Sequence, residues 1–218
     1  MATKINEKFV YRLDEGSANM VALLGSKGAH ASEMSRNGIP VPPGFVITTQ
    51  ACREYLRDHE FPQGLWDDIV RHINMLEKET GRKFGGSKEP LIVSVRSGSA
   101  VSMPGMMDTI LNMGTTTTTV DALSRMMGDR RPALDAHRRF LQGFGNVVLG
   151  MERNIFEQPL NEIKIRNGLS FDYEISPDDL EKLVSGYKEA MAKFTGAALP
   201  DDPWLLLKQS VEAVFTSW

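Results

Sequence analysis

Residues 91–114 read LIVSVRSGSAVSMPGMMDTILNMG. The first five, Leu91 to Val95, are apolar or small and favour extended backbone. With both faces short of charge, they predict a buried strand. Arg96 ends it, and Ser97, Gly98, Ser99, Ala100, Ser102, Pro104 and Gly105 follow. Small side chains let backbone N–H groups approach an anion, and an arginine offers a planar fork of donors to its oxygens. A phosphate-binding loop is one reading. A strand ending in a surface turn with a solvated Arg96 is the other. Asp108 is a lone acid in this stretch. It either faces a ligand or holds the loop through backbone N–H groups, as aspartates in loops do.

Outward from this stretch, the N-terminal side alternates strands and helices. Residues 8–13 (KFVYRL) alternate as in a strand, and DEGSAN is a turn. The apolar run 20–24 stops at Gly25-Ser26-Lys27-Gly28, and a helix is expected from Ala29 to about Arg36, with Asn37-Gly38 as its stop. Lys27 therefore sits beside a helix N-terminus, where the dipole and the free N–H groups suit an anion. A solvated lysine in a turn is the alternative. The Walker A spacing is absent. Residues 39–43 (IPVPP) are an extended connector. Residues 44–48 predict a second strand, Thr49 a cap, and 50–57 a helix. Leu65, Ile69, Ile73 and Leu76 recur at helical spacing, so 65–80 is an amphipathic helix ending at Gly81. GRKFGGSKEP is then a loop.

On the C-terminal side the character changes. Thr115–Thr119 is a run of five threonines, expected to be a polar linker whose last residue caps a helix over 120–127. Residues 129–132 are a break, and 134–149 read as a helix weakened by Gly143 and Gly145. Arg138 and Arg139 on it are expected on a solvated face, with contact to a ligand as the alternative. Ser176, Pro177 and Asp179 predict a helix start. Leu180, Leu183, Val184, Tyr187, Met191 and Phe194 then form one apolar stripe. Asp202-Pro203 repeats the start signal before a helix through Phe215. No strand is expected after residue 114. The fold class is α+β, with a mixed first part over 1–114, a helical unit over 115–200 and a returning helix over 201–218.

Composition excludes several functions. The 218 residues carry a net charge of −3 with no long basic run, which argues against nucleic acid as a partner. One cysteine, Cys52, rules out an internal disulfide framework and fits a reducing compartment. No apolar run is long enough to span a membrane, and the first residues lack a secretory apolar core. A cytoplasmic location is expected, and an organellar parent is also compatible. The twelve methionines, clustered partly at 103–113 and 126–127, are expected to fill core gaps. His30, His59, His72 and His137 show no metal spacing with each other or with Cys52, and each reads as a surface or helix-flank histidine. No nucleophile elbow and no catalytic carboxylate pair stands out.

LLGSKGAHASEM at 23–34, GIPVPPGFVITT at 38–49 and SVRSGSAVSMPGMMDTILNMG at 94–114 together resemble the nucleotide-binding region of the pyruvate, phosphate dikinase family. AHRRFLQGFGNVV at 136–148 and EAVFTSW at 212–218 extend the resemblance over the whole chain. It implies the first lobe of an ATP-grasp domain (a small mixed sheet with helices) with an inserted all-helical subdomain. In that family ATP and phosphate pyrophosphorylate a histidine on a swivelling domain, AMP and pyrophosphate leave, and a barrel passes the remaining phosphoryl group to pyruvate. By motif match, Lys27 and Arg96 fall on polyphosphate-binding, catalytic positions. Gly105, Met107, Asp108 and Thr109 fall on a loop over the nucleotide. The cofactors implied are ATP and Mg2+, the latter with ligands expected in the second lobe, so no metal ligand is expected here. The partners implied are ATP, phosphate and the remaining dikinase domains, in a homo-oligomeric parent. The second lobe, a T-x-H-A phosphohistidine segment and the barrel are not found in this sequence. It is therefore expected to be inactive alone. Two hypotheses stand: a piece of a dikinase, or a stand-alone interaction or nucleotide-binding module that kept the fold. The apolar last helix favours the first.

Overall fold

A computed structural model describes residues 8–98 and 109–218. Helices dominate and the strands form two-stranded sheets, so the chain is α+β as expected. Contacts divide it into two compact units. One comprises Met1–Gly81, Ser97–Met106 and Val214–Trp218, the other Arg82–Arg96 and Met107–Ala213. This grouping differs from the expected boundaries at 114 and 200.

In the first unit, β1 (Val10–Arg12) pairs antiparallel with β2 (Phe45–Ile47). Val10 and Arg12, two residues apart, share a face; Val10 is buried and Arg12, at the end of the strand, is exposed. The stretch read as a turn holds two short 3-10 helices, Leu13–Glu15 and Ala18–Met20. Helix α1 (Val21–Arg36) is interrupted at Gly25, whose φ of 68° and ψ of 166° lie outside the helical region. The apolar run before the glycine is thus a helical turn, and the main segment starts earlier than Ala29. Helix α2 (Thr49–Asp58) is capped by Thr48, whose hydroxyl accepts from Ala51 N–H at 3.2 Å. Thr49, the expected cap, lies one residue inside, and its hydroxyl donates to the Ala22 carbonyl at 2.7 Å. Helix α3 (Leu65–Thr80) has the expected bounds and buries Leu65, Ile69, Ile73 and Leu76. His72, expected at the surface or the helix flank, is buried beside Ile69 and Ile73, with Nδ1 2.7 Å from the Asp68 carbonyl.

In the second unit, the supposed loop before the central stretch contains β3 (Lys83–Phe84), parallel to β4 (Pro90–Leu91). The central strand is split. After β4 the chain continues as β5 (Val93–Val95), which is antiparallel to β6 (Ile110–Met113). Ser94 is exposed, so β5 is not buried on both faces. Its partner β6 is a strand that the sequence pattern alone leaves unassigned. Ile110 and Met113 anchor it in the core, and Asn112 adopts φ 57° with its side-chain amide donating to the Ala136 carbonyl at 3.0 Å.

Four helices follow: α4 (Thr117–Met127), α5 (Arg130–Val147), α6 (Asn154–Asn167) and α7 (Pro177–Thr195). Ser176 caps α7 with Pro177 at its start, as expected. The threonine run is no linker: Thr115, Thr116 and Thr119 are buried, and Thr116 caps α4. Asp129 caps α5, so the supposed break is its first turn. Gly145 weakens α5 as an isolated helix but admits the Phe156 ring of α6, which a Cβ would run into. On α7, Leu180, Leu183, Tyr187 and Met191 are buried, whereas Phe194 is exposed at its C-terminal end. Met126 and Met127 are also exposed and fill no core gap. Helix α8 (Pro203–Thr216) runs from the second unit into the last segment of the first. Among the described residues no strand follows residue 113, and no helix is long and apolar enough to cross a membrane.

Candidate functional site

The interruption at Gly25 makes Ser26–Arg36 a fresh helical segment. Lys27, exposed, lies in its first turn, where orphan N–H groups and the positive dipole end gather. The conformation of Gly25 belongs to a region that essentially only glycine occupies. A second constraint acts there: a Cβ on Gly25 would lie 2.8 Å from the Gly98 carbonyl oxygen. A Cβ on Gly98 would in turn lie 4.0 Å from Lys27 Cβ. The lysine turn and the segment after Arg96 are therefore packed backbone to backbone. Ser97 is buried beside them. The sequence offered small residues in both places without a sign that they meet. Gly28, the other glycine of the tetrad, is also required, since its Cβ would lie 2.7 Å from Val46 Cγ1.

Arg96 follows the last residue of β5 and is exposed. Val95 pairs with Ile110, so the antiparallel register puts Arg96 and Thr109 next to each other at the end of that ladder. Thr109 is half-buried and lies against α5 at Gly143, where a Cβ would be 4.0 Å from the Thr109 carbonyl. Of the remaining expected nucleotide contacts, Gly105, Met107 and Asp108 lie outside the described residues.

Arg138 is not on a solvated face. It is 2% exposed, with Nε and Nη2 on Asp135 Oδ1 at 2.8 and 2.7 Å, Nη1 on Gln142 Oε1 at 3.1 Å, and Asp172 at 3.5 Å. Burial raises the Asp172 pKa, but the Lys164 hydrogen bond and the charges of Lys164, Arg138 and Arg139 outweigh it and hold it below the usual value. Arg139 is half-exposed and pairs with Asp135 at 3.0 Å. His137 is buried, and neither ring nitrogen has a partner in good hydrogen-bond geometry. Burial, then the charge of Lys188, lowers its pKa to about 4, against weaker opposing effects of Asp201 and the Thr115 backbone. Cys52 is buried too, and burial pushes its thiol up to about 11, which makes it a poor nucleophile. Among the described residues, no group of three or more His, Cys, Asp or Glu is placed to hold a metal ion.

The family description "Pyruvate phosphate dikinase, AMP/ATP-binding domain" matches residues 21–64 and 56–217. The chain belongs to this family. Its relatives include pyruvate, phosphate dikinases from Entamoeba histolytica, 39% identical over 210 residues, and from Rhizobium meliloti, 45% identical over 205. The chloroplastic enzyme of Flaveria pringlei is 43% identical over 205 residues. These alignments take in 96%, 94% and 94% of this chain, but 24%, 23% and 21% of the respective relatives. The chain thus spans about a quarter of the length of the curated relatives it matches. Lys27, Arg96 and Thr109 all fall within the matched segments.

Proposed function

We propose that these 218 residues bind the ATP phosphates for a pyruvate, phosphate dikinase. The parent reaction converts ATP, phosphate and pyruvate to AMP, pyrophosphate and phosphoenolpyruvate through a phosphohistidine held on another domain. Residues 1–114 would form the first ATP-grasp lobe, 115–200 its helical insert, and 201–218 the return. The observation that carries the reading is the Gly25 turn packed on Gly98, with Lys27 in the first turn of the helix that follows and close to Gly98. Lys27 serves as a compact charge on a phosphate. Arg96 serves as a planar fork for phosphate oxygens, with Thr109 beside it. Gly105, Met107 and Asp108 are assigned to the nucleotide loop on the motif match alone. Mg2+ enters with the nucleotide, its protein ligands lying outside the described residues, and the remaining dikinase domains are the protein partners.

Phosphoryl transfer depends on cations and on closure around the developing charge. Turnover of pyruvate and ATP by the 218-residue chain is therefore expected to be absent. Its affinity for Mg-ATP is the direct test, by calorimetric titration of the wild type and Arg96→Ala. A charge-assisted hydrogen bond contributes about 1.5–3 kcal/mol, so affinity should fall about 10- to 100-fold. Equal affinity of the two would remove Arg96 from the site. One observation favours the alternative, a stand-alone interaction module. Phe171 and Tyr173 are exposed and stacked, with ring centroids 5.2 Å apart. Absence of Mg-ATP binding would move the reading there.

A further inference from the structure

Trp218 donates its indole N–H to the Gly98 carbonyl at 3.2 Å. That carbonyl is the group packed against Gly25, so one oxygen joins the last residue of this chain to the turn that carries Lys27. The segment leading to Trp218 is itself fixed. Phe215 is buried between Tyr55 and Phe61, with ring centroids at 5.3 and 5.9 Å. Its carbonyl accepts from the Cys52 thiol at 3.7 Å and from the Trp218 backbone N–H at 3.2 Å. Trp218 is 40% exposed. A tryptophan retained for apolar packing would be more fully covered. Here the ring stands partly in solvent with its single donor on a backbone acceptor.

We propose that Trp218 is a positioning residue for the phosphate turn. Its N–H holds the Gly98 carbonyl against Gly25, and the backbone entering the Lys27 helix is set by that contact. The role rests on the Mg-ATP reading above. Without the donor, Gly98 moves off Gly25 and the turn loses its preset shape, so phosphate binding must order it first.

The test combines calorimetry with two-dimensional amide and indole NMR on the 218-residue chain. Trp218→Phe keeps an aromatic ring and removes the donor. Its Kd for Mg-ATP should rise about 3- to 10-fold, the range of one neutral hydrogen bond. The amide resonances of Gly25, Lys27 and Gly98 should shift in the free variant. In the wild type, the Trp218 indole resonance should be protected from exchange and should shift on saturation with Mg-ATP. That measurement decides the matter even where the variant folds poorly. Unchanged affinity in Trp218→Phe, or a Trp218 indole resonance indifferent to bound Mg-ATP, overturns the positioning role and leaves the phosphate reading standing. A wild type that does not bind millimolar Mg-ATP overturns both.

Discussion

Gly25 shows what one residue must do here and how little of it is visible locally. A glycine between an apolar run and a lysine reads as punctuation, and the interruption of α1 fulfils that reading. The stronger requirement is the Gly98 carbonyl where a Cβ would stand, and that partner lies far along the chain. Gly25→Ala would strain the backbone and push against a fixed carbonyl. Such strain costs about 1–3 kcal/mol, and urea denaturation of the variant should show a loss of that size. Gly38→Ala is the comparison. Its φ of 70° is also positive, but nothing lies within 4 Å of an added Cβ. A smaller loss is expected there, because Gly25 combines the Gly98 contact with a backbone conformation that essentially only glycine occupies. Arg138 teaches the converse. Two adjacent arginines on a helix read as solvated, and only Asp172, supplied from beyond α6, completes the cluster that buries the first of them.

At the level of elements, the helices with side-chain caps and regular stripes were legible, and the exceptions have physical causes. Helix α3 was found to the residue because its apolar spacing is clean and Gly81 takes the left-handed conformation after it. Helix α6 was not singled out. Pro159 stands inside it, and Arg153 before it provides no side-chain cap. Its signal was present in Phe156, Leu160 and Ile163, buried at helical spacing. The threonine run misled because polarity was taken for solvation. Thr119 accepts from the Thr116 N–H at 2.6 Å and donates to the Gly114 carbonyl at 3.1 Å, so hydroxyls finish the turn that joins β6 to α4. Thr119→Val keeps the shape and removes the hydroxyl. It leaves the Thr116 N–H buried without its partner, which should cost about 1–3 kcal/mol in thermal or urea unfolding. Thr118→Ala, at an exposed position of the same run, should change stability by less than about 0.5 kcal/mol.

Across the whole molecule, the resemblance in residues 23–49 and 94–114 identified the family, and the grouping by contacts cuts the chain at other places than 114 and 200. A reading in chain order keeps residues 82–96 with what precedes them, but strand pairing to β6 puts β5 with the helices. The units also differ in their expected response to acid. His137 belongs to the second unit, and its pKa is lowered from 6.5 to about 4, chiefly by burial. Its neutral form is favoured by folding, so the unfolded chain binds the extra proton between those values. Stability is full above about pH 6.5 and falls as pH drops toward 4, by about 2 kcal/mol between pH 7 and pH 5 and about 3 kcal/mol by pH 4. Asp172 and Asp179 have lowered pKa values, so their contributions are lost only as pH falls below about 4, outside this window. Trp204 reports on the second unit, packed edge-on to Phe84 at 5.0 Å. Its fluorescence can be isolated in a Trp66→Phe, Trp218→Phe background. Urea unfolding followed by Trp204 should show the acid loss, and adding His137→Phe should flatten it between pH 7 and pH 5. Phenylalanine keeps the ring near Phe140, whose centroid is 6.2 Å away, and gives up no well-formed hydrogen bond. A slope that survives this substitution would show that the proton is taken up elsewhere.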